Sequence, residues 1–563
     1  MVTSKVDLYN GAPALYINGK VCESVAYITY MTENSRYDDF AEAGYKLFSM
    51  PVYFGYNRLN EQSGAYVFTK GIFDNGKANF DIFDADVEKI LASCPDAYIF
   101  PRVCVNQSEN WEAEHPDEVC ELDPETHRHR ASMASDVWSE TIKGQLSEFV
   151  AHIESSNYRD HIAGYQIAGG NTEEWFPMFS NTSISGKRAE EKYAAYLEEN
   201  KLERCDASFY RFYSNLVASR IREFAAHVKA LTDRRLAVGT FYGYIFECTA
   251  RALGHFAAKS VLDCDDIDFI CSPVGYCTAR AAGEDHPYMV PLASIKKRGK
   301  LYFSENDTRT HLTRAFCDNP RYNTPIWFGP DCETTMEIMK MHEARTIVNR
   351  HAAWWFDMWG GWYADERYMN MLKKLRDVRE EIKDLPQKSV AEVAIFVDEA
   401  SYFGLEDMSI SGKVSLVRRQ LGKTGVPYEL YLAQDAEEVA SKYKAVLVLN
   451  SADTPESIAV IDAAKSAGVA CLNVTAENAD MTASELREFL RGAGVHIYCE
   501  RDAVIYANES FVFLHTCSDG EFAIDLGKDN DAILRDVMTG EIYDNSIARE
   551  KGKSFILRIE RKS

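Results

Sequence analysis

The sequence lacks an excess of positive charge. Its 563 residues include 62 Lys and Arg against 86 Asp and Glu, which gives a formal net charge of −24. This sign of charge disfavours nucleic acid or an anionic membrane surface as a partner, because both attract basic proteins. No apolar run reaches the length of a membrane span, and the N-terminus has no apolar signal-peptide core. We therefore expect a cytoplasmic protein, or a secreted or periplasmic one from which a leader has been removed.

The sequence also lacks paired cysteines. All 14 Cys stand singly and none belongs to a Cys-x-x-Cys pair, which disfavours both a zinc ribbon and a small disulfide framework. Several cysteines, such as Cys104 and Cys271, lie in apolar runs where a buried free thiol is the simplest interpretation, and this suits a reducing compartment. We expect no metal and no cofactor.

What is present is a rhythm of short apolar segments and helical patterns. Eight predicted strands alternate with predicted helices, an arrangement that indicates a (β/α)8 barrel, with a doubly wound sheet as the alternative. Several strands change from apolar to polar residues at their C-terminal ends, which favours the barrel because its active site gathers those ends on one face. The predicted strands are 24–30, 46–52, 97–105, 162–168, 236–242, 267–273, 301–304 and 352–358.

The pattern changes after Pro386, and three domains are predicted. Residues 1–385 form the barrel with a short N-terminal hairpin. Residues 390–494 alternate strands and helices in a flavodoxin-like α/β domain, which contains neither a GxGxxG motif nor a P-loop. Residues 495–563 have strand periodicity and little helical pattern, as in a small β-sandwich.

One carboxylate stands out at the end of the seventh predicted strand. The segment 300–307 reads Lys-Leu-Tyr-Phe-Ser-Glu-Asn-Asp, so apolar residues run directly into Glu305. A carboxylate in that place sits on a rigid element, as acid–base or nucleophilic chemistry requires. The alternative is a solvated Glu just past a core strand.

A second pair of carboxylates follows the fourth predicted strand. The segment 169–176 reads Gly-Gly-Asn-Thr-Glu-Glu-Trp-Phe, with Glu173 and Glu174 beside Trp175. Carboxylates after strands four and seven meet across a barrel mouth, where one can protonate a glycosidic oxygen while the other attacks the anomeric carbon. The alternative is a solvated loop, against which the adjacent glycines and tryptophan argue.

At this point the chain resembles a known group of enzymes. The strand-four and strand-seven glutamates, the aromatic eighth strand (Trp-Trp-Phe-Asp-Met-Trp-Gly-Gly-Trp-Tyr over 354–363) and the order of domains are similar to clan-A glycoside hydrolases. The nearest match is the family 42 β-galactosidases and their relatives, including the family 164 β-mannosidases. The resemblance implies a retaining exo-β-glycosidase that acts on oligosaccharides or other β-glycosides, assembled as a homotrimer.

The resemblance also implies roles for the glutamates. Glu305 corresponds to the nucleophile. The family's Asn-Glu-Tyr segment corresponds here to Glu173-Glu174-Trp175, which makes Glu174 the acid/base and puts Glu173 in the position of the Asn that binds the sugar 2-hydroxyl. Asn171 would then have to reach the sugar instead, and a shift of one residue would make Glu173 the acid. The four-Cys zinc cluster frequent in the family is not visible.

The remaining candidate substrate contacts lie near predicted strand ends. Arg102 is expected to pair with Glu305 and keep it ionised. Tyr276 either hydrogen-bonds the nucleophile or packs in the core, and Trp359 either stacks on a sugar or packs. The full set of candidate substrate contacts is Arg102, Asn106, Asn171, Trp175, Tyr276, Asp357 and Trp359.

Three other functions remain open from the sequence. A β-mannosidase of the same architecture and a non-catalytic sugar-binding barrel both fit the pattern, and the Glu-Glu pair in place of Asn-Glu suits the second. A lyase or aldolase fits less well, because no predicted strand ends in the Lys that a Schiff base needs.

Overall fold

The computed structural model describes residues 1–56, 71–74, 76–123, 128–177, 184–247, 249–276, 280–313, 329–529 and 531–560. Its central feature is a closed barrel of eight parallel strands in chain order, with the eighth strand pairing back to the first. This confirms the predicted barrel over the doubly wound sheet. The strands are β1 (Val25–Ile28), β2 (Leu47–Tyr53), β3 (Tyr98–Cys104), β4 (Gly164–Ala168), β5 (Ala237–Phe241), β6 (Phe269–Pro273), β7 (Leu301–Asn306) and β8 (Ala352–Phe356).

Amphipathic helices cover the outside of the barrel. In the helix Asp136–Ser155, the hydroxyl of Ser135 accepts the N–H of Trp138 and caps the first turn, and apolar side chains at three- and four-residue steps form the buried face. Each such side chain contributes roughly 1.5–3 kcal/mol when it leaves water. The barrel helices are α1 (Tyr37–Glu42), α2 (Asp81–Ser93), α3 (Glu109–Glu114), α4 (Asp136–Ser155), α5 (Lys187–Asn200), α6 (Asp206–Leu231), α7 (Ala258–Leu262), α8 (Leu292–Lys297), α9 (Cys332–Asn349) and α10 (Glu366–Ile382).

Two small antiparallel units accompany the barrel. The predicted N-terminal hairpin is a three-stranded sheet of Ser4–Tyr9, Ala12–Ile17 and Lys20–Val21. A hairpin of Val119–Asp123 and Arg128–Ala131, which the sequence did not indicate, stands between β3 and β4.

A parallel four-stranded sheet follows the barrel. Its strand order is β10-β9-β11-β12, the order with which a flavodoxin-like sheet begins. The elements are β9 (Val393–Val397), β10 (Tyr428–Leu432), β11 (Ala445–Leu449), β12 (Ala470–Val474), α11 (Ser409–Leu421), α12 (Ala436–Val439), α13 (Pro455–Ser466) and α14 (Ala483–Gly492).

The C-terminal part is antiparallel β structure. A five-stranded sheet, β13-β14-β19-β16-β17, and the pair β15-β18 share one apolar cluster, to which Leu514, Phe522 and Ile547 contribute. The fold class is therefore the predicted one, while the exact domain boundaries stay predictions. The strands are β13 (Ala503–Ala507), β14 (Phe511–Thr516), β15 (Gly520–Ala523), β16 (Ile533–Asp536), β17 (Ile542–Tyr543), β18 (Ser546–Arg549) and β19 (Ser554–Glu560).

Two further findings hold within the described ranges. No helix there is both long enough and apolar enough to cross a membrane. No group of His, Cys, Asp and Glu side chains there has an arrangement that could hold a metal ion.

Candidate active site

Glu305 lies near the C-terminal end of β7, between two neighbouring barrel strands. In the register of the sheet it aligns with Pro273 of β6 and with Trp354 of β8. Its Oε2 accepts two hydrogen bonds, one from Arg102 Nη2 at 2.6 Å and one from the Trp354 indole N–H at 3.1 Å. The expected pair between Arg102 and Glu305 is therefore present, and the carboxylate is held on rigid elements.

The loop after β4 has a backbone that only strong local contacts can hold. Thr172, Glu173 and Trp175 have φ values of 50°, 69° and 65°, in the left-handed region that costs L-residues about 1–2 kcal/mol each. Asn106 offsets part of this cost, because its side-chain amide donates to the Gly170 carbonyl and accepts the Gly170 N–H, both at 2.8 Å.

Glu173 and Glu174 consequently have different surroundings. Glu173 is 1% exposed, and both of its carboxylate oxygens are occupied: Oε1 accepts the hydroxyl of Tyr53, and Oε2 accepts Arg102 Nη1 at 3.2 Å. Glu174 is 7% exposed and its Oε2 accepts the Thr172 hydroxyl at 2.7 Å. Glu173 is thus an ion-pair partner, whereas Glu174 has no ion pair among the residues that the structure describes.

A neutral histidine supports the backbone of Glu174. His255 Nε2 lies 2.7 Å from the Glu174 carbonyl oxygen, and burial lowers the pKa of His255 to about 3. The ring is therefore neutral at ordinary pH and donates its N–H to that carbonyl.

The electrostatics separate Glu305 from Glu174. Burial raises the pKa of Glu305 to about 7 against the opposing effect of Arg102, and the charge of Asp307 raises it further. Burial, together with the charge of Glu305, raises the pKa of Glu174 to about 8. Because Arg102 donates to Glu305 and favours its ionised form, a single proton shared by the two groups is favoured on Glu174.

The raised pKa of Glu174 predicts a pH-dependent gain in stability on its removal. A carboxyl whose pKa rises from 4.5 to about 8 on folding lowers the free energy of unfolding only slightly at pH 5, and this destabilisation grows as the pH rises toward 8. Glu174→Gln should therefore have a higher Tm than the wild type at pH 8. The corresponding gain in the free energy of unfolding is up to about 4 kcal/mol. Scanning calorimetry from pH 5 to 8 measures this, and a Tm difference that shrinks with rising pH would contradict it.

Arg102 is the centre of the charged cluster. It is 1% exposed and reaches Glu173, Glu305 and, through Nε at 2.9 Å, the side-chain oxygen of Gln166. Its guanidinium lies 4.7–5.1 Å from the ring centroids of Phe241, Trp354 and Phe356. With these partners Arg102 forms ion pairs with both carboxylates. A direct contact of Arg102 with a sugar stays a prediction.

Two predicted substrate contacts, Trp175 and Asp357, are buried and hydrogen-bonded within the protein, and a substrate role for either stays a prediction. Trp175 is fully buried and its ring stacks on Phe224 of α6. Its indole N–H donates to Thr240 at 2.9 Å, and a Cβ on Gly169 would lie 2.9 Å from its ring. Asp357 is also fully buried. Its oxygens accept the Tyr27 hydroxyl and the backbone N–H groups of Gly361 and Trp362, so it braces the loop after β8.

The other candidate contacts remain predictions of different strength. Asn171 is buried in the loop after β4, and Asn106 is engaged with Gly170 as described. Tyr276 packs its ring 4.0 Å from the Arg280 guanidinium, and burial, together with the charges of Asp307 and Glu174, raises its pKa. Trp359 is partly exposed and stands edge-on to Trp362.

Several residues of the site were missed in the sequence. Asp307 forms a buried ion pair with Arg280 at 2.8 Å beside Glu305. The sequence did contain a signal for it, because Asp307 directly follows β7 and the C-terminal ends of barrel strands gather on one face. The tyrosines Tyr30, Tyr53 and Tyr244 surround the carboxylates from other elements, and nothing in the sequence marked them.

Comparison with known proteins gives matches in structure alone. No family model matches the chain, and no curated protein is significantly similar in sequence. The β-galactosidase from Bacillus circulans sp. alkalophilus superposes with a TM-score of 0.62 at 10% identity over 95% of this chain and 99% of that one.

Two further solved structures agree with it. The apo exo-carrageenase GH42 from Bacteroides ovatus has a TM-score of 0.61 at 10% identity over 99% of this chain and 85% of that one. A catalytic mutant of a GH42 β-galactosidase from G. stearothermophilus has a TM-score of 0.58 at 10% identity over 96% and 98%. The chain therefore has, over nearly its whole length, the fold of the GH42 β-galactosidases.

Proposed function

We propose that the chain is a retaining exo-β-glycosidase, β-galactosidase-like, that removes terminal β-linked sugars. The observation that carries the proposal is the pair of buried carboxyls after β4 and on β7, whose environments push their pKa values to about 8 and about 7. Glu305 is bonded to the Arg102 cation and Glu174 to the neutral Thr172 hydroxyl, and such a difference in surroundings is what a nucleophile and an acid need. The fold shared with GH42 β-galactosidases supports the same assignment.

In the first proposed step Glu305 attacks the anomeric carbon. A bond forms between its carboxylate oxygen and that carbon, and the bond to the glycosidic oxygen breaks. Glu174 gives its proton to the leaving oxygen, so the aglycone departs as a neutral alcohol. Arg102, bonded to Glu305 at 2.6 Å, favours the ionised form of the nucleophile.

In the second proposed step water releases the sugar. Glu174, now ionised, takes a proton from a water molecule as its oxygen attacks the anomeric carbon. The bond to Glu305 breaks, and both carboxyls return to their starting protonation. Two displacements at one carbon retain the β configuration.

The sugar is proposed from the family resemblance, with galactose first and mannose as the alternative. A panel of nitrophenyl β-glycosides tests this, because the preferred sugar gives the highest kcat/KM. Binding without turnover across the panel would favour the non-catalytic sugar-binding barrel. The proposed homotrimer is tested by size-exclusion chromatography with light scattering, for which a mass near three times 63.7 kDa is expected.

The pH profile of kcat/KM should be a narrow bell. Activity requires Glu305 ionised and Glu174 protonated, so it should fall below about pH 7 and above about pH 8. Both limbs belong to the coupled pair and not to either residue alone. Initial rates from pH 4 to 10 measure the profile, and activity that is constant from pH 5 to 10 would contradict the assignment.

A further inference from the structure

Glu173 adjoins the proposed catalytic pair, yet the proposed mechanism gives it no step. It is 1% exposed, and its carboxylate is held by Arg102 and the Tyr53 hydroxyl. Its backbone is held in the left-handed region at φ 69°. A buried carboxylate and a strained backbone both cost free energy, and such features cluster at functional sites.

We propose that Glu173 is a positioning residue that sets the pH at which Glu305 becomes ionised, by sharing the single cation Arg102 with it. This inference rests on the proposed function for its meaning in catalysis. The geometry behind it is the fork of Arg102, which gives Nη1 to Glu173 at 3.2 Å and Nη2 to Glu305 at 2.6 Å. One positive charge thus serves two carboxylates.

Among the described residues, few other groups near this fork can carry charge. The tyrosines and cysteines that face it have pKa values raised by burial and stay neutral in the working range. The described groups that can carry charge there are Arg102, Glu173, whose own pKa burial raises, Glu174, Glu305, the Asp307–Arg280 pair and Arg130, which lies beside Cys104. The neutral groups are Tyr30, Tyr53, Cys104, Tyr244, Cys271 and Tyr276.

Removal of the Glu173 charge should therefore change the pH at which Glu305 becomes ionised. Glu173→Gln keeps the side-chain length and an oxygen that can accept from Tyr53 or Arg102, but the positive charge of Arg102 is no longer divided. Glu305 should then lose its proton at a lower pH, because a cation stabilises the ionised form and a neighbouring anion no longer opposes it.

The test measures nucleophile ionisation alone. A 2,4-dinitrophenyl 2-deoxy-2-fluoroglycoside has a leaving group that needs no acid, so its rate of covalent trapping follows Glu305. Glu173→Gln should move the acid limb of this rate down by about one pH unit, which is about a tenfold gain at pH 5.5 relative to its plateau. An unchanged limb, or one that moves up, would overturn the inference.

Two control variants accompany the test. Glu173→Asp retains the charge and should keep the limb near the wild-type position. Glu190→Gln removes the same charge from an exposed ion pair with Arg204, outside the site, and should also leave the limb in place. A loss of trapping in Glu173→Gln with an unmoved limb would mean that Glu173 only supports the fold.

A second measurement separates this inference from the proposed function. Because folding raises the pKa of Glu305, its removal by Glu305→Gln should raise the Tm increasingly as the pH rises toward 7. This Tm gap should be smaller in the Glu173→Gln background, and an equal gap would overturn the inference. If wild type is not trapped at any pH, the proposed function fails while the Tm comparison still decides the role of Glu173.

Discussion

Glu305→Gln should lose almost all turnover while the fold is retained. The change replaces the proposed nucleophile by a carboxamide of the same shape, so no glycosyl-enzyme bond can form. We expect kcat on the preferred nitrophenyl β-glycoside to fall roughly 10⁴-fold or more, the scale of loss on removal of a nucleophile. Initial rates at pH 7.5 measure this, and near-normal turnover would show that another group attacks the sugar.

The control for this variant is a second buried carboxylate outside the barrel mouth. Glu343 on α9 is fully buried and pairs with Arg379 of α10, as Glu305 pairs with Arg102. Glu343→Gln should change stability and leave kcat within a few-fold of wild type. A comparable loss of kcat in both variants would attribute the effect of Glu305→Gln to folding.

Replacement of Glu174 should have an effect that depends on the leaving group. Glu174→Ala removes the proposed proton donor, so kcat/KM for alkyl β-glycosides should fall by about 10²–10⁴-fold. Dinitrophenyl glycosides should still form the intermediate, because their leaving group needs no proton. The slow second step should then be accelerated by azide, which attacks without a base and gives a β-glycosyl azide.

The same experiment decides between the two adjacent glutamates. Glu173→Gln should show normal dependence on the leaving group and no rescue by azide, because its carboxylate is bonded to Arg102 and Tyr53. Azide rescue of a Glu173 variant together with a normal Glu174 variant would exchange their roles. The structure favours Glu174, whose buried carboxylate pairs with no cation in the described part of the chain and has its pKa raised to about 8.

The barrel was predictable because its strands are buried on both faces. Segments such as 301–304 and 352–358 read as continuous apolar runs between helical patterns, which is typical of parallel strands. The location of Glu305 followed from the same pattern, since the C-terminal ends of barrel strands gather on one face. Its pairing with Arg102, 203 residues earlier, was expected because both lie at strand ends.

The contacts of the loop residues could not be predicted from the sequence, and the physical reason is the same for each. The Trp175 ring stacks on Phe224 of α6, and its loop adopts left-handed backbone angles that no residue type in 172–175 demands. Asp357 is occupied by backbone N–H groups four and five residues later, and Asn106 by Gly170, 64 residues away. Such contacts depend on the path of the loop, and strand periodicity carries no information about it.

The most direct test of the account is the identity of the residue that becomes attached to the sugar. Wild-type enzyme inactivated with a 2,4-dinitrophenyl 2-deoxy-2-fluoroglycoside is digested and the modified peptide is sequenced by mass spectrometry. We predict one label per chain, on Glu305. Activity should return slowly when an added acceptor sugar takes the fluorosugar from Glu305. A label on any other residue, or turnover that yields the α-sugar with no label, would contradict double displacement through Glu305.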